Sequence, residues 1–169
     1  MKKIALFITL LVISSFAGFS QQNHTWDKWN WIMGTWIGEG SGQPGKGDGT
    51  FSFTYGLDYK IIERKSHSEY PATDTKPLTI HDDLLFVYLD YSGNPSKAIY
   101  FDNEGHTINY SILYADNSIT LVSNKVPGVP VFRLTYTLLD EETVNTSFEM
   151  SQDGEKFMTY IEGKSKKQK

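Results

Sequence analysis

From residue 35 to residue 164 the chain alternates hydrophobic and polar positions with a period of two, in short runs broken by glycine, proline, asparagine and aspartate. That period belongs to strands with one buried face, and it predicts ten of them. They run from Thr35 to Ser41, Asp48 to Tyr55, Tyr59 to Ser68, Asp82 to Tyr91 and Lys97 to Asp102, then from His106 to Tyr114, Ser118 to Ser123, Val131 to Leu138, Thr143 to Met150 and Lys156 to Lys164. Before them the period changes. Trp26, Trp29 and Met33 recur at i, i+3 and i+7, with Thr25 placed as an N-cap, which predicts one short amphipathic helix ending at Gly34. The expected fold is all-β, a ten-stranded up-and-down antiparallel barrel with that helix closing one end.

The connections sort by length once the strands alternate in direction. Gly56-Leu57-Asp58, Ser92 to Ser96, Asp116-Asn117 and Asp140 to Glu142 are tight turns, and all fall at the end where the first strand begins. The opposite end carries the glycine-rich Gly42 to Gly47, the long Glu69 to His81 connection, Asn103 to Gly105 and Asn124 to Pro130. One end is closed, and the other is the mouth.

Composition narrows the setting. Met1-Lys2-Lys3, an apolar run from Ile4 to Phe16 and small residues up to Ser20 read as a secretion signal at residues 1–20. The remaining segments are a plug at 21–34, the barrel at 35–164 and a basic tail at 165–169. There is no cysteine, hence no disulfide and no lipid-bearing thiol, and a soluble periplasmic or secreted protein without a membrane span is expected. With Lys2 and Lys3 removed, 14 basic residues stand against 20 acidic ones, a net charge of −6 that argues against nucleic acid as partner.

The run Gly34-Thr35-Trp36-Ile37-Gly38-Glu39-Gly40 resembles the opening strand of small lipocalin-like, calycin-type barrels of the nitrobindin and fatty-acid-binding-protein kind. Arg64 to Pro71, His81-Asp82-Asp83 and Tyr100 to His106 look like a secreted bacterial branch of that group, to which the resemblance attaches no activity. It implies a container for a small molecule. Nitrobindins hold haem through a histidine near the C-terminus, and no histidine follows His106 here; Tyr160 on the last strand is of an iron-ligating residue type but reads as packing. No haem ligand carries over, and no cofactor is expected.

The candidate chemistry gathers at the mouth, where His67, His81, Asp102 and His106 lie at the ends of four successive strands. Three imidazoles with a carboxylate suit zinc, although their spacing matches no short metal motif, and no metal is expected. The same residues suit acid–base catalysis, with Asp102 orienting an imidazole, or they orient a ligand's polar head, or they bond rim backbone. Parity places His106 on the inward face with Ile108 and Tyr110, and leaves His67 on the outer face unless a bulge re-aims it. Arg64 shares one face of its strand with Ile62 and Ser66: pointing inward it is the natural anchor for an anionic head group, and pointing outward it forms an exposed ion pair with Glu63 or a neighbouring strand; Arg133 faces water. Phe51 and Phe53 line the interior.

The expected function is therefore extracytoplasmic binding of a small hydrophobic or amphipathic molecule by Arg64, His67, Tyr70, His81, Tyr100, His106, Tyr110, Phe51 and Phe53. The alternative is a cofactor-free or metal-assisted hydrolase, isomerase or lyase using His67, His81, Asp102 and His106.

Overall fold

The computed structural model describes residues 24–40 and 48–169. The secretion signal expected at 1–20 and the glycine-rich Gly42 to Gly47 connection lie outside the described residues. Ten strands follow in order: β1 (Gly34–Gly38), β2 (Asp48–Gly56), β3 (Ile61–Tyr70), β4 (Thr79–Tyr88), β5 (Lys97–Asp102), β6 (Thr107–Ala115), β7 (Ser118–Ser123), β8 (Val131–Asp140), β9 (Thr143–Ser151) and β10 (Met158–Lys167). Each pairs antiparallel with its sequence neighbours, and β1 pairs with β10, so the sheet closes without an edge.

The expected N-terminal helix is instead a single 3₁₀ stretch, His24–Trp29. Its bonding pattern continues past the last helical residue, with Asn30 N–H donating to the Asp27 carbonyl at 3.3 Å and Ile32 N–H to the Trp29 carbonyl at 3.0 Å. In a three-residue turn, side chains at i and i+3 eclipse. Trp26, Trp29 and Ile32 therefore point the same way, and all three are buried. The relevant spacing was three rather than 3.6, which is why Met33 is only partly buried.

This plug seals the lower end, where β1 starts. Trp29 packs against Phe53 with ring centroids 5.7 Å apart, and Trp36 stacks on Phe51 at 6.2 Å. Around these rings Ile62, Leu85, Val87, Ala98, Ile112, Ile119, Leu121 and Val144 complete the core. Trp36 Nε1 donates to the Ile32 carbonyl at 2.7 Å, fixing the plug to the first strand. Gly38 faces Gly49 across β1 and β2, and a Cβ on Gly38 would lie 3.1 Å from the Gly49 carbonyl oxygen, so these glycines permit a close approach.

The strand limits differ from expectation in three informative places. β3 and β4 continue pairing up to Tyr70 and Thr79, which shortens their connection to residues 71–78. β6 begins at Thr107, so His106 belongs to the preceding turn. β10 extends to Lys167, whose ammonium sits 5.3 Å from the Trp36 ring, so most of the expected basic tail is strand.

Candidate functional site: the polar layer below the barrel mouth

Strand alternation fixes which side chains enter the barrel. On β3 they are Ile62, Arg64, Ser66, Ser68 and Tyr70, and on β4 His81, Asp83, Leu85 and Val87. Toward the plug this inward set is buried. Toward the mouth, Tyr70, His81, Tyr100, Ile108, Phe132 and Phe148 are all partly exposed. An inward side chain on a closed barrel reaches solvent only through an open end, so the upper interior is a cup open to water with aromatic walls.

The floor of the cup is polar. Arg64 and Asp83 are both buried, and Arg64 Nη1 lies 2.5 Å from Asp83 Oδ1. The guanidinium also sits 5.7 Å from the Phe51 ring and 5.8 Å from that of Tyr136. Burial pushes the Asp83 carboxyl up, against the opposing pull of Arg64 and His81. Burial likewise keeps the phenols of Tyr100, Tyr110 and Tyr136 protonated well above their ordinary value.

One wall carries a chain of hydrogen-bonding groups. His81 Nε2 is 3.0 Å from the Tyr100 hydroxyl, which donates to Asp102 Oδ2 at 3.3 Å. The other ring nitrogen of His81 meets Glu104 at 3.2 Å. Asp102 also receives the His106 backbone N–H at 2.9 Å and its ring Nδ1 at 2.9 Å. Partial burial pushes the Asp102 carboxyl up, but these bonds outweigh it and hold it below the usual range.

The sequence-derived candidates thus separate. Arg64, Tyr70, His81, Tyr100, Asp102 and Tyr110 face inward around the cup. Phe51 and Phe53 also face inward but lie buried in the packed core under it. His106 does not enter the barrel: outside β6, its side chain is 62 % exposed and caps Asp102 from the turn. His67 points outward, between Asp82 Oδ1 at 2.6 Å and Glu69 Oε1 at 3.1 Å. It borders a depression of about 550 Å³ whose lining mixes outward Thr50, Ser52, Lys65 and Leu84 with inward Phe51, Ser66, Asp83 and Asp102. Tyr160, 55 % exposed, packs edge-on against Phe148 at the rim. Arg133 faces outward as expected and grips Glu149 with two bonds at 2.7 and 2.9 Å.

Among the described residues no three histidine, cysteine or acidic side chains are arranged to hold a metal ion, and no helix is long and apolar enough to cross a membrane. Asp83, Tyr136, Phe132 and Phe148 complete the cup and its floor without having been singled out from sequence. The signal for Asp83 was its parity with Leu85 and Val87, obscured because β4 is apolar on both faces from Leu84 onward.

Comparison with protein-family models and with curated proteins finds no match. Among solved structures, the chain is similar to that titled "Crystal Structure of Rv2717c from M. tuberculosis", with a TM-score of 0.57 and 11% sequence identity over 86% of this chain and 98% of that one. At that identity the likeness speaks for the barrel fold alone.

Proposed function

We propose that the chain is an extracytoplasmic, lipocalin-like barrel that binds a small hydrophobic or amphipathic molecule in the cup above Arg64. One observation carries the reading: inward-facing Tyr70, Tyr100, Ile108, Phe132 and Phe148 remain partly exposed while the inward residues beneath them are buried. Apolar walls open to solvent cost free energy until something apolar covers them. The extracytoplasmic placement rests on the N-terminal lysines and apolar run. Titration with the neutral fluorophore Nile red tests the reading. Saturable one-site binding, weakened about tenfold when Ile108→Trp fills the wall, is the expected result; absence of saturable binding overturns it.

A second reading, acid–base catalysis without a cofactor, is favoured by the His81–Tyr100–Asp102 chain. His81 and Asp102 meet through a single hydroxyl on one wall of the cup, within the reach that proton transfer requires. Turnover of an ester or enolisable carbonyl that disappears in His81→Gln, with the fold retained, would establish it. Turnover unaffected by that substitution would dismiss it.

A further inference from the structure

The depression of about 550 Å³ beside His67 is separate from the cup. Its lining comes from β1 to β5 and Asn103, and along four strands it is a run of three residues, 50–52, 65–67, 82–84 and 101–103, that begins and ends on an outward side chain. A space inside a closed barrel would also be bounded by the facing strands β6 to β10. None of them contributes among the described residues, so the depression lies on the outside of the wall and the inward residues floor it with backbone.

Register explains its shape. Thr35, Ser52, Lys65, Leu84 and Phe101 form one row across β1 to β5 through successive pairings, and Thr50, His67 and Asp82 form the next row toward the mouth. The two long side chains of β3 are drawn apart. Lys65 Nζ bonds Glu63 Oε1 at 2.9 Å on the plug side, while His67 is held by Asp82 at 2.6 Å and by Glu69 at 3.1 Å on the mouth side. Short Thr35, Thr50 and Ser52 leave the space beside them open.

The chemistry of this surface selects an occupant. The three hydroxyls donate and accept, Lys65 keeps N–H groups beyond the one Glu63 takes, and Asp82 accepts, all at cross-strand spacings of about 5 Å. Leu84 and Phe101 are directly opposed and each 38 % exposed, a flat apolar step beside those polar groups. Lys65 and His67 already face three carboxylates, Glu63, Glu69 and Asp82, so no cation is left over for a phosphate or carboxylate. The fitting ligand is uncharged, both donates and accepts at closely spaced points, and lays an apolar face on an aromatic ring. A pyranose has these properties, with hydroxyls around its edge and C–H bonds on its faces. The row from Thr35 to Phe101 crosses four interstrand gaps, about 19 Å, which is room for a chain of sugars.

We propose that the outer wall of β1 to β5 binds a neutral saccharide chain, one pyranose seated on Phe101 and Leu84 and its hydroxyls bonded by Thr50, Ser52, Lys65 and Asp82. This site is independent of the cup. It is tested by NMR titration of the protein with four neutral chains, maltohexaose, cellohexaose, mannohexaose and N-acetylchitohexaose, against hexagalacturonate and inorganic phosphate. At least one neutral chain is expected to shift the Thr50, Ser52 and Phe101 resonances saturably, and the two anions are not. Ser52→Trp fills the depression and is expected to weaken that binding about tenfold. Phe101→Ala removes the apolar step from an exposed position, so it is expected to weaken binding several-fold with urea unfolding unchanged, and it carries the test if the tryptophan variant does not fold. Silence of all four neutral chains overturns the proposal, as do shifts confined to the cup. Undiminished binding by Phe101→Ala overturns it as well, and either anion binding as tightly as the neutral chains overturns the uncharged class.

Discussion

Trp29 Nε1 donates to the Tyr114 hydroxyl at 2.8 Å, a bond that ties the N-terminal plug to β6 across 85 residues of sequence. The hydroxyl passes the bond on to the Pro95 carbonyl, which caps the turn between β4 and β5. Because Trp29 is fully buried, Tyr114→Phe strands an indole N–H inside the core. The expected cost is about 1–3 kcal/mol, read from urea unfolding, with the barrel otherwise intact. A loss below a few tenths of a kcal/mol would mean the plug is held by ring packing alone.

Arg64 and Asp83 present the opposite balance, two charges withdrawn from water that satisfy one another. Removing either alone leaves an uncompensated buried charge, so Arg64→Leu and Asp83→Leu are each expected to cost about 3–5 kcal/mol. The double substitution removes both charges and is expected to cost far less than the sum of the two. A double-mutant cycle by urea unfolding measures the coupling. Single effects that simply add would show that the pair contributes through packing and not through charge.

His67 was expected among the mouth residues, and its position on the outer wall gives it a different role. Its bonds to Asp82 and Glu69 raise its pKa above the ordinary 6.5. The folded protein then holds the proton more tightly than the unfolded chain, so the stabilisation is complete below 6.5 and fades as pH climbs through the raised folded value. Titration of the His67 ring by NMR is expected to give a midpoint above 6.5, and Asp82→Asn, which removes the larger cause, should lower it. A midpoint unmoved by that substitution would show that Asp82 does not set the titration.

The architecture was legible because period-two patterning survives even where individual strand ends are misplaced. Sorting turns by length located the mouth for the same reason, since alternating strand direction depends on the number of strands and not on their exact limits. Side-chain direction at strand ends is different: one residue decides it. Moving the start of β6 from His106 to Thr107 took His106 out of the barrel. The interior polar layer was half legible. Arg64 stood out as one of two arginines with an apolar partner on its face, whereas Tyr136 reads like any packed aromatic, and only its hydroxyl, without a hydrogen-bond partner among the described residues, sets it apart.

The turn between β2 and β3 carries backbone conformations that side chains disfavour. Leu57, Asp58 and Tyr59 have φ of 48°, 54° and 60°, three consecutive non-glycine residues in the left-handed region. They are held by the Lys60 N–H bonded to the Gly56 carbonyl at 3.1 Å and by Trp26 Nε1 bonded to the Tyr59 carbonyl at 2.9 Å. Each left-handed residue costs roughly 1–2 kcal/mol, which glycine avoids at a smaller entropic loss. Leu57 is 73 % exposed and gives up little packing when replaced. Leu57→Gly is therefore expected to raise unfolding stability by up to about 1 kcal/mol, where a glycine inside a strand would lower it. Thermal and urea denaturation of Leu57→Gly beside Leu57→Ala provide the check. The alanine variant keeps the strain, so equal stability of the two would refute the claim that the backbone of this turn, and not the leucine side chain, limits it.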